Sequence, residues 1–150
     1  MEIEIREADI LDIENGLLEV FIQGYRYHQK DRPDIYEDLS DENLKQDLIK
    51  NFEDLSTIVL ILNNKIEGYL SYKIKERYAK KLDVDQLVVA EENRNKGFGK
   101  MLIEEAKNIA KKNNCHRIEL NCWLFNENAL AMYDHLGFEK QRIIYEMKTI

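Results

Sequence analysis

Gly97 and Gly99 stand one residue apart among Arg94, Lys96 and Lys100, directly ahead of a run with helical apolar spacing. Bare backbone and positive charge at a helix start suit an anion. The first-turn N–H groups there have no intrahelical acceptor, and the helix dipole favours negative charge. Glycine also lets a ligand approach the chain closely and adopts backbone angles closed to other residues. Two common phosphate loops fail on single residues. A dinucleotide loop wants a third glycine where Leu102 stands, and a P-loop wants Ser or Thr where Met101 follows Lys100. A G-x-G pair by itself also shapes plain turns, so its neighbours must decide between ligand site and turn.

Other residues could carry proton transfer or recognition. Asp83 and Asp85 share one face of a strand by the period of two, and Gln86 points to the other. They read either as bases acting through a water or as solvated acids near a strand end. Tyr25, Tyr27, His28, Arg32, Asp34 and Tyr36 crowd into twelve residues, and Tyr69 and Tyr72 sit in a later β-rich run. Singly each is an ordinary packing or loop residue. Together they describe an aromatic pocket with acidic neighbours that would attract an ammonium group. Cys115 and Cys122 lack Cys or His partners at ligand spacing, so no metal set is expected and a reduced, cytoplasmic setting follows. Trp123 and Phe125 read as core or pocket wall.

The elements that must position these groups follow from periodicity. "EIEIREA" alternates as a half-buried strand. Asp9 is placed to cap a helix with Ile10, Ile13, Leu17, Val20, Phe21 and Gly24 on one face. Pro33, the only proline, ends it, and Ser40 starts a second helix with Leu44, Leu48, Ile49 and Phe52. Asn63-Asn64 turns a hairpin, and "KKLDVDQLVVA" forms a further strand. The glycine loop then opens a helix to about Asn113. A strand "HRIELNCW", a helix "NENALAMYDHL" stopped by Gly137, and a final strand or bent pair "FEKQRIIYEMKTI" complete the chain. The order predicts one α+β (mixed α/β) domain spanning 1–150, with helices on both faces of a sheet.

Composition narrows the function. Apolar residues are 44% and charged residues 34%, as in ordinary globular chains. No apolar run reaches membrane-spanning length, and the opening "MEIEIREADI", with no basic n-region or apolar h-region, predicts no secretory signal. A net charge of -7 opposes nucleic-acid binding. Residues 1–56 hold 6 basic against 16 acidic residues, whereas 57–150 hold 16 against 13. That asymmetry is either solvation of acidic helices or a cationic ligand meeting the first part and an anionic one the second.

The stretch "LVVAEENRNKGFGKMLIEEA" resembles the signature of the GNAT superfamily of acyl-coenzyme-A-dependent N-acetyltransferases. Arg94 to Gly99 fit its R/Q-x-x-G-x-G/A loop at every specified position. Asn126, Ala129, Tyr133 and Gly137-Phe138 match a second pattern, N-x-x-A-x-x-x-Y-x-x-x-G-F. The resemblance is strong from Asp83 to Phe138, and upstream of Ser56 only element order is shared. It implies a central, mostly antiparallel twisted sheet with a splayed strand pair holding acetyl-CoA, with coenzyme A as product. The pyrophosphate is expected on Arg94, Asn95, Lys96, Gly97, Phe98, Gly99 and Lys100. The pantetheine arm is expected along Leu87, Val88 and Val89, with Asn126, Ala129 and Tyr133 beside it.

On the same resemblance Tyr133 would protonate the leaving thiolate, and an amide of Val88 or Val89 would hold the oxyanion. Relatives that draw a proton with a glutamate have it on the strand where this chain offers Asp83 and Asp85, so the base is open. Acceptor contacts are expected from Tyr25, Tyr27, His28, Arg32, Asp34 and Tyr72. The Arg-Pro-Asp element is similar to one in bacterial members and names no substrate. The implied activity is acetyl transfer to a primary amine of a small molecule or protein. A non-catalytic acyl-CoA-binding module is the alternative, and a homodimer through C-terminal strands is compatible with the family.

Overall fold

The computed structural model describes residues 2–150. Strand β1 (Ile3–Glu7) leads through a 3₁₀ turn (Ile10–Ile13) into α1 (Leu17–Asp31) and α2 (Asp41–Asp54). Strands β2 (Ser56–Leu62), β3 (Lys65–Lys75) and β4 (Lys81–Val89) follow, then α3 (Phe98–Lys112), β5 (Arg117–Leu120) and α4 (Glu127–His135). The five strands lie in chain order, antiparallel from β1 to β4, with β5 parallel to β4. The α+β, single-sheet expectation is met.

Local chemistry explains most boundaries. Asn63 and Asn64 take φ of 49° and 69°, the left-handed pair a tight β2–β3 turn requires. Ser40 caps α2 by accepting from the Asn43 amide at 3.1 Å. Asp9 differs from expectation. It caps the 3₁₀ turn in a reciprocal box with Asp12, and Asp12 also takes both ends of the Arg6 guanidinium at 2.8 and 2.9 Å. Helix α1 therefore begins only at Leu17, after Gly16 turns the chain at φ 116°.

Two cores flank the sheet. Leu17, Val20, Phe21, Leu44 and Leu48 of α1 and α2 pack with Val59, Ile66 and Tyr69 on one face. Phe98, Leu102, Ile103 and Ala106 of α3 pack with Ile58, Leu60, Leu70 and Leu82 on the other. Helix α1 lies hard against β4. A Cβ on Gly24 would stand 2.8 Å from Val88 Cγ2, so only glycine permits the contact.

The expected final strand does not form. Residues 139–150 have no regular structure, and Ile143, Ile144, Tyr145 and Met147 are 73–88% exposed. A strand needs a neighbour, and β5, only four residues long, offers none to this segment. Side-chain contacts steady it instead, from Lys140 to Asp134 and from Glu146 to Arg32.

Candidate active site

The site starts where the sheet opens. β4 and β5 pair only from Lys81–Arg117 to Val84–Leu120, so the outer edge of β4 from Asp85 to Val89 has no strand beside it. Register shows which groups face that gap. The Ala90 amide donates to Glu67 of β3 at 2.7 Å, and Tyr69 is opposite Val88. Antiparallel pairs alternate, so Val88 turns its amide and carbonyl toward β3, while Leu87 and Val89 turn theirs outward. Of the two oxyanion donors considered, the Val89 amide is the one that faces the gap.

The glycine loop lies beside this edge. After Ala90 the chain makes a 3₁₀ turn (Glu91–Asn93), and Asn95 and Gly97 take φ of 64° and 85°. The first α-helical bond of α3 runs from the Met101 amide to the Gly97 carbonyl, at 3.1 Å. The amides of Gly97, Phe98, Gly99 and Lys100 therefore lack intrahelical acceptors, and no side chain caps this end. The glycines divide the work. A Cβ on Gly97 would meet nothing within 4 Å, leaving an open approach, whereas one on Gly99 would meet Met132 Sδ at 3.0 Å. Gly99 thus serves the packing of α3 on α4. Phe98, 2% exposed, anchors the loop in the core, and Lys96 bonds the buried Asn93 side chain at 3.0 Å.

Helix α4 closes the far side. Asn126 caps it, its side-chain oxygen accepting from the Ala129 amide and from the Tyr27 hydroxyl, both at 3.3 Å. Gly137, at φ 93°, ends it. Tyr133 follows Asn126 by two turns, and its ring meets Phe138 edge-on at 5.5 Å. Burial, with a smaller contribution from Cys122, raises the Tyr133 hydroxyl well above the usual phenol range. It stays protonated at neutral pH, as a donor must. Burial also raises the Cys122 thiol.

On the opposite face, α1, α2 and β4 flank an open cavity of about 230 Å³ lined by Tyr25, Tyr36, Asp47, Lys50, Asp85 and Gln86 among others. Asp85 and Gln86 share this cavity, contrary to strict alternation. The β3–β4 register skips Asp85, since Ser71 pairs with Gln86 and Tyr72 with Val84. The bulge re-aims the side chain. The two acids then part ways. Asp83 is held by Lys75 at 2.9 Å. Asp85 keeps an exposed side chain, and partial desolvation against the cavity wall, then repulsion from Asp83, lifts its carboxyl above the ordinary range. Gln86 accepts from the buried Tyr69 hydroxyl at 2.7 Å.

The aromatic segment is split by α1. Tyr25 donates to the Glu37 carbonyl at 2.8 Å and meets Tyr36 edge-on at 5.5 Å, both lining the cavity. Tyr27 and His28 turn instead toward Phe125, and His28 Nδ1 lies 2.8 Å from the Gly24 carbonyl. Arg32 stacks 4.8 Å above Trp123 and is bound by Asp34 and Glu146, so this acceptor pair forms a bracket of its own. Tyr72, half-buried, packs against the core on the α3 face, away from the cavity. Trp123, which donates to the Tyr36 hydroxyl at 2.9 Å, and Phe125, stacked on it, wall this region. Their position just after a strand cannot separate wall from core by sequence. No group of three or more His, Cys, Asp or Glu capable of holding a metal occurs among the described residues.

Comparison with known proteins bears on this geometry. The chain superposes with TM-score 0.82 on a mutant of the BH1408 protein from Bacillus halodurans, at 24% identity, covering 98% of this chain and 99% of that one. Glucosamine-6-phosphate N-acetyltransferase from Arabidopsis thaliana aligns over the whole of both chains, at 19% identity and TM-score 0.72. An aminoglycoside N-acetyltransferase in complex with CoA aligns over 99% of this chain and 96% of that one, at 16% identity and TM-score 0.73. These likenesses concern the fold. In sequence, the acetyltransferase (GNAT) family matches residues 21–138. The match runs from the first turns of α1 to the residue after the glycine that stops α4, and the chain belongs to that family.

Proposed function

We propose that this acetyltransferase moves the acetyl group of acetyl-CoA to a primary amine by direct attack within a ternary complex. The observation that carries the reading is the free edge of β4, with Leu87 and Val89 facing outward, ending at the uncapped, open start of α3. Those features fit coenzyme A. The amides from Gly97 to Lys100 suit its pyrophosphate, with Arg94, Lys96 and Lys100 adding charge. Leu87 and Val89 offer main-chain pairing to an amide-bearing arm. When bound, acetyl-CoA supplies an activated thioester carbonyl.

The chain's residues supply the rest. The Val89 amide holds the developing oxyanion. Tyr133, half-buried and protonated, donates to the leaving sulfur. Asp85, in the cavity and raised in pKa, is the better placed of the two acids to take the proton of an incoming ammonium through water, because Asp83 is tied to Lys75. The rings of Tyr25 and Tyr36, and two carboxylates, Asp47 and Asp85, against the one cation Lys50, favour a cationic acceptor.

Calorimetry with acetyl-CoA and thiol release across a panel of amines tests this together. Binding with turnover on one amine class is the expected result. Absence of acetyl-CoA binding overturns the proposal, and binding without turnover on any amine returns the non-catalytic module. The exposed apolar segment 139–150 supports a homodimer in which a second copy covers it, and light scattering reads that mass directly.

A further inference from the structure

A chain of contacts crosses the gap between β4 and α4. Arg94 Nε donates to the Val89 carbonyl at 3.3 Å. The Arg94 guanidinium lies over the Tyr27 ring, 5.4 Å from its centre. The Tyr27 hydroxyl donates to Asn126 Oδ1 at 3.3 Å. The path runs from β4, through the glycine loop and α1, to the cap of α4, beyond the point where β4 and β5 have stopped pairing. Two of its groups, the outward Val89 carbonyl and the Arg94 charge, are those the proposed function gives to the cofactor, and Asn126 is one that the sequence resemblance places beside it. Val89 offers its outward carbonyl to the arm, and the guanidinium side chain already holds it. The Arg94 side chain, spanning from that carbonyl to the Tyr27 ring, therefore lies across the place the arm would take.

We infer that Tyr27 is a latch on the cofactor slot. Its ring seats Arg94 across the free edge of β4, its hydroxyl ties that seat to α4, and both contacts are given up when the cofactor enters. This moves Tyr27 from the acceptor side, where its neighbours in sequence suggest it belongs, to the cofactor side. It also joins the two halves of the site. His28 lies edge-on to Tyr27 at 5.6 Å and tilted against Tyr36 at 5.4 Å, and Tyr36 walls the cavity. Release of Tyr27 is thus one ring away from the cavity wall.

The inference rests on the proposed cofactor site and has a sign of its own. A residue that positions the cofactor weakens binding when removed, whereas a latch strengthens it. Calorimetric titration with coenzyme A compares wild type, Tyr27→Leu and Tyr27→Phe, with circular dichroism melting to confirm that each is folded. Tyr27→Leu removes a cation–π contact and a neutral hydrogen bond from the latch, so its Kd should fall by about three- to tenfold. Tyr27→Phe keeps the ring and loses only the tie to Asn126, so its Kd should fall less. In stopped flow the association rate should rise in the same order, because opening no longer precedes entry. An unchanged or raised Kd in Tyr27→Leu overturns the latch. Should the leucine variant fail to fold, an unchanged or raised Kd in Tyr27→Phe does so. A wild type that does not bind coenzyme A overturns the cofactor site itself.

Discussion

Gly24→Ala sets two effects of known size against each other. In the interior of α1, alanine is favoured over glycine by about 1 kcal/mol, so propensity alone makes the variant more stable. The structure says otherwise. The added Cβ would stand 2.8 Å from Val88 Cγ2 and 3.2 Å from Cγ1, where ordinary carbon contacts need about 3.5–4.0 Å. Val88 cannot swing aside cheaply because its branched side chain has few rotamers, so α1 must retreat from β4 by roughly 0.7 Å, the shortfall in that contact. Overpacking of this kind costs about 1–3 kcal/mol. After the propensity gain, a net loss of about 1 kcal/mol remains, which lowers Tm by about 2–4 °C for a chain of this length. Thermal and urea unfolding of Gly24→Ala, Val88→Ala and the double variant measure it, and the double variant should recover about 1–3 kcal/mol relative to additivity. Because Tyr25 moves with α1, the acceptor KM should rise in Gly24→Ala and fall back in the double variant. A single variant that is about 1 kcal/mol more stable than wild type, or single effects that simply add, would refute the argument.

Two predictions concern titration. Asp85→Asn should remove the acid limb of the kcat/KM profile and lower turnover at neutral pH by about a hundredfold; the raised carboxyl places that limb above the ordinary aspartate range, and an unchanged profile removes Asp85 as base. Glu119 accepts from Lys81 and Arg117 across and along β5, which depresses its pKa from 4.5 to about 2. A depressed acid stabilises the fold above its unfolded pKa and loses that contribution as pH falls through the folded value. Wild type should therefore melt above Glu119→Gln at pH 7, with the gap closing between about pH 4.5 and 2; a gap independent of pH contradicts the pairing.

How much of this could be read from sequence depends on how local each feature is. The glycine loop, the Asn63-Asn64 turn, the Ser40 cap and the Gly137 stop are fixed by residues within a turn of one another, and each appears where its residues dictate. The bulge at Asp85 is set by how β3 registers against β4, so period-two reasoning put Gln86 on the wrong face. Asp83 and Asp85 look alike in sequence, and only the distant Lys75 tells them apart. Gly99 looks like a ligand glycine until Met132 of α4 is seen beside it. The segment Phe138–Ile150 has the composition of a strand, but composition does not supply the neighbour that a strand needs.

The proposed transfer turns on Tyr133, a half-buried, protonated phenol on α4, the helix packed against the glycine loop. The most direct measurement is kcat for Tyr133→Phe on the amine that wild type turns over, beside the acetyl-CoA Kd of both proteins. The ring stays and only the hydroxyl goes. The expected result is a loss of about 10²–10⁴-fold in kcat with Kd unchanged. An unchanged kcat would contradict it.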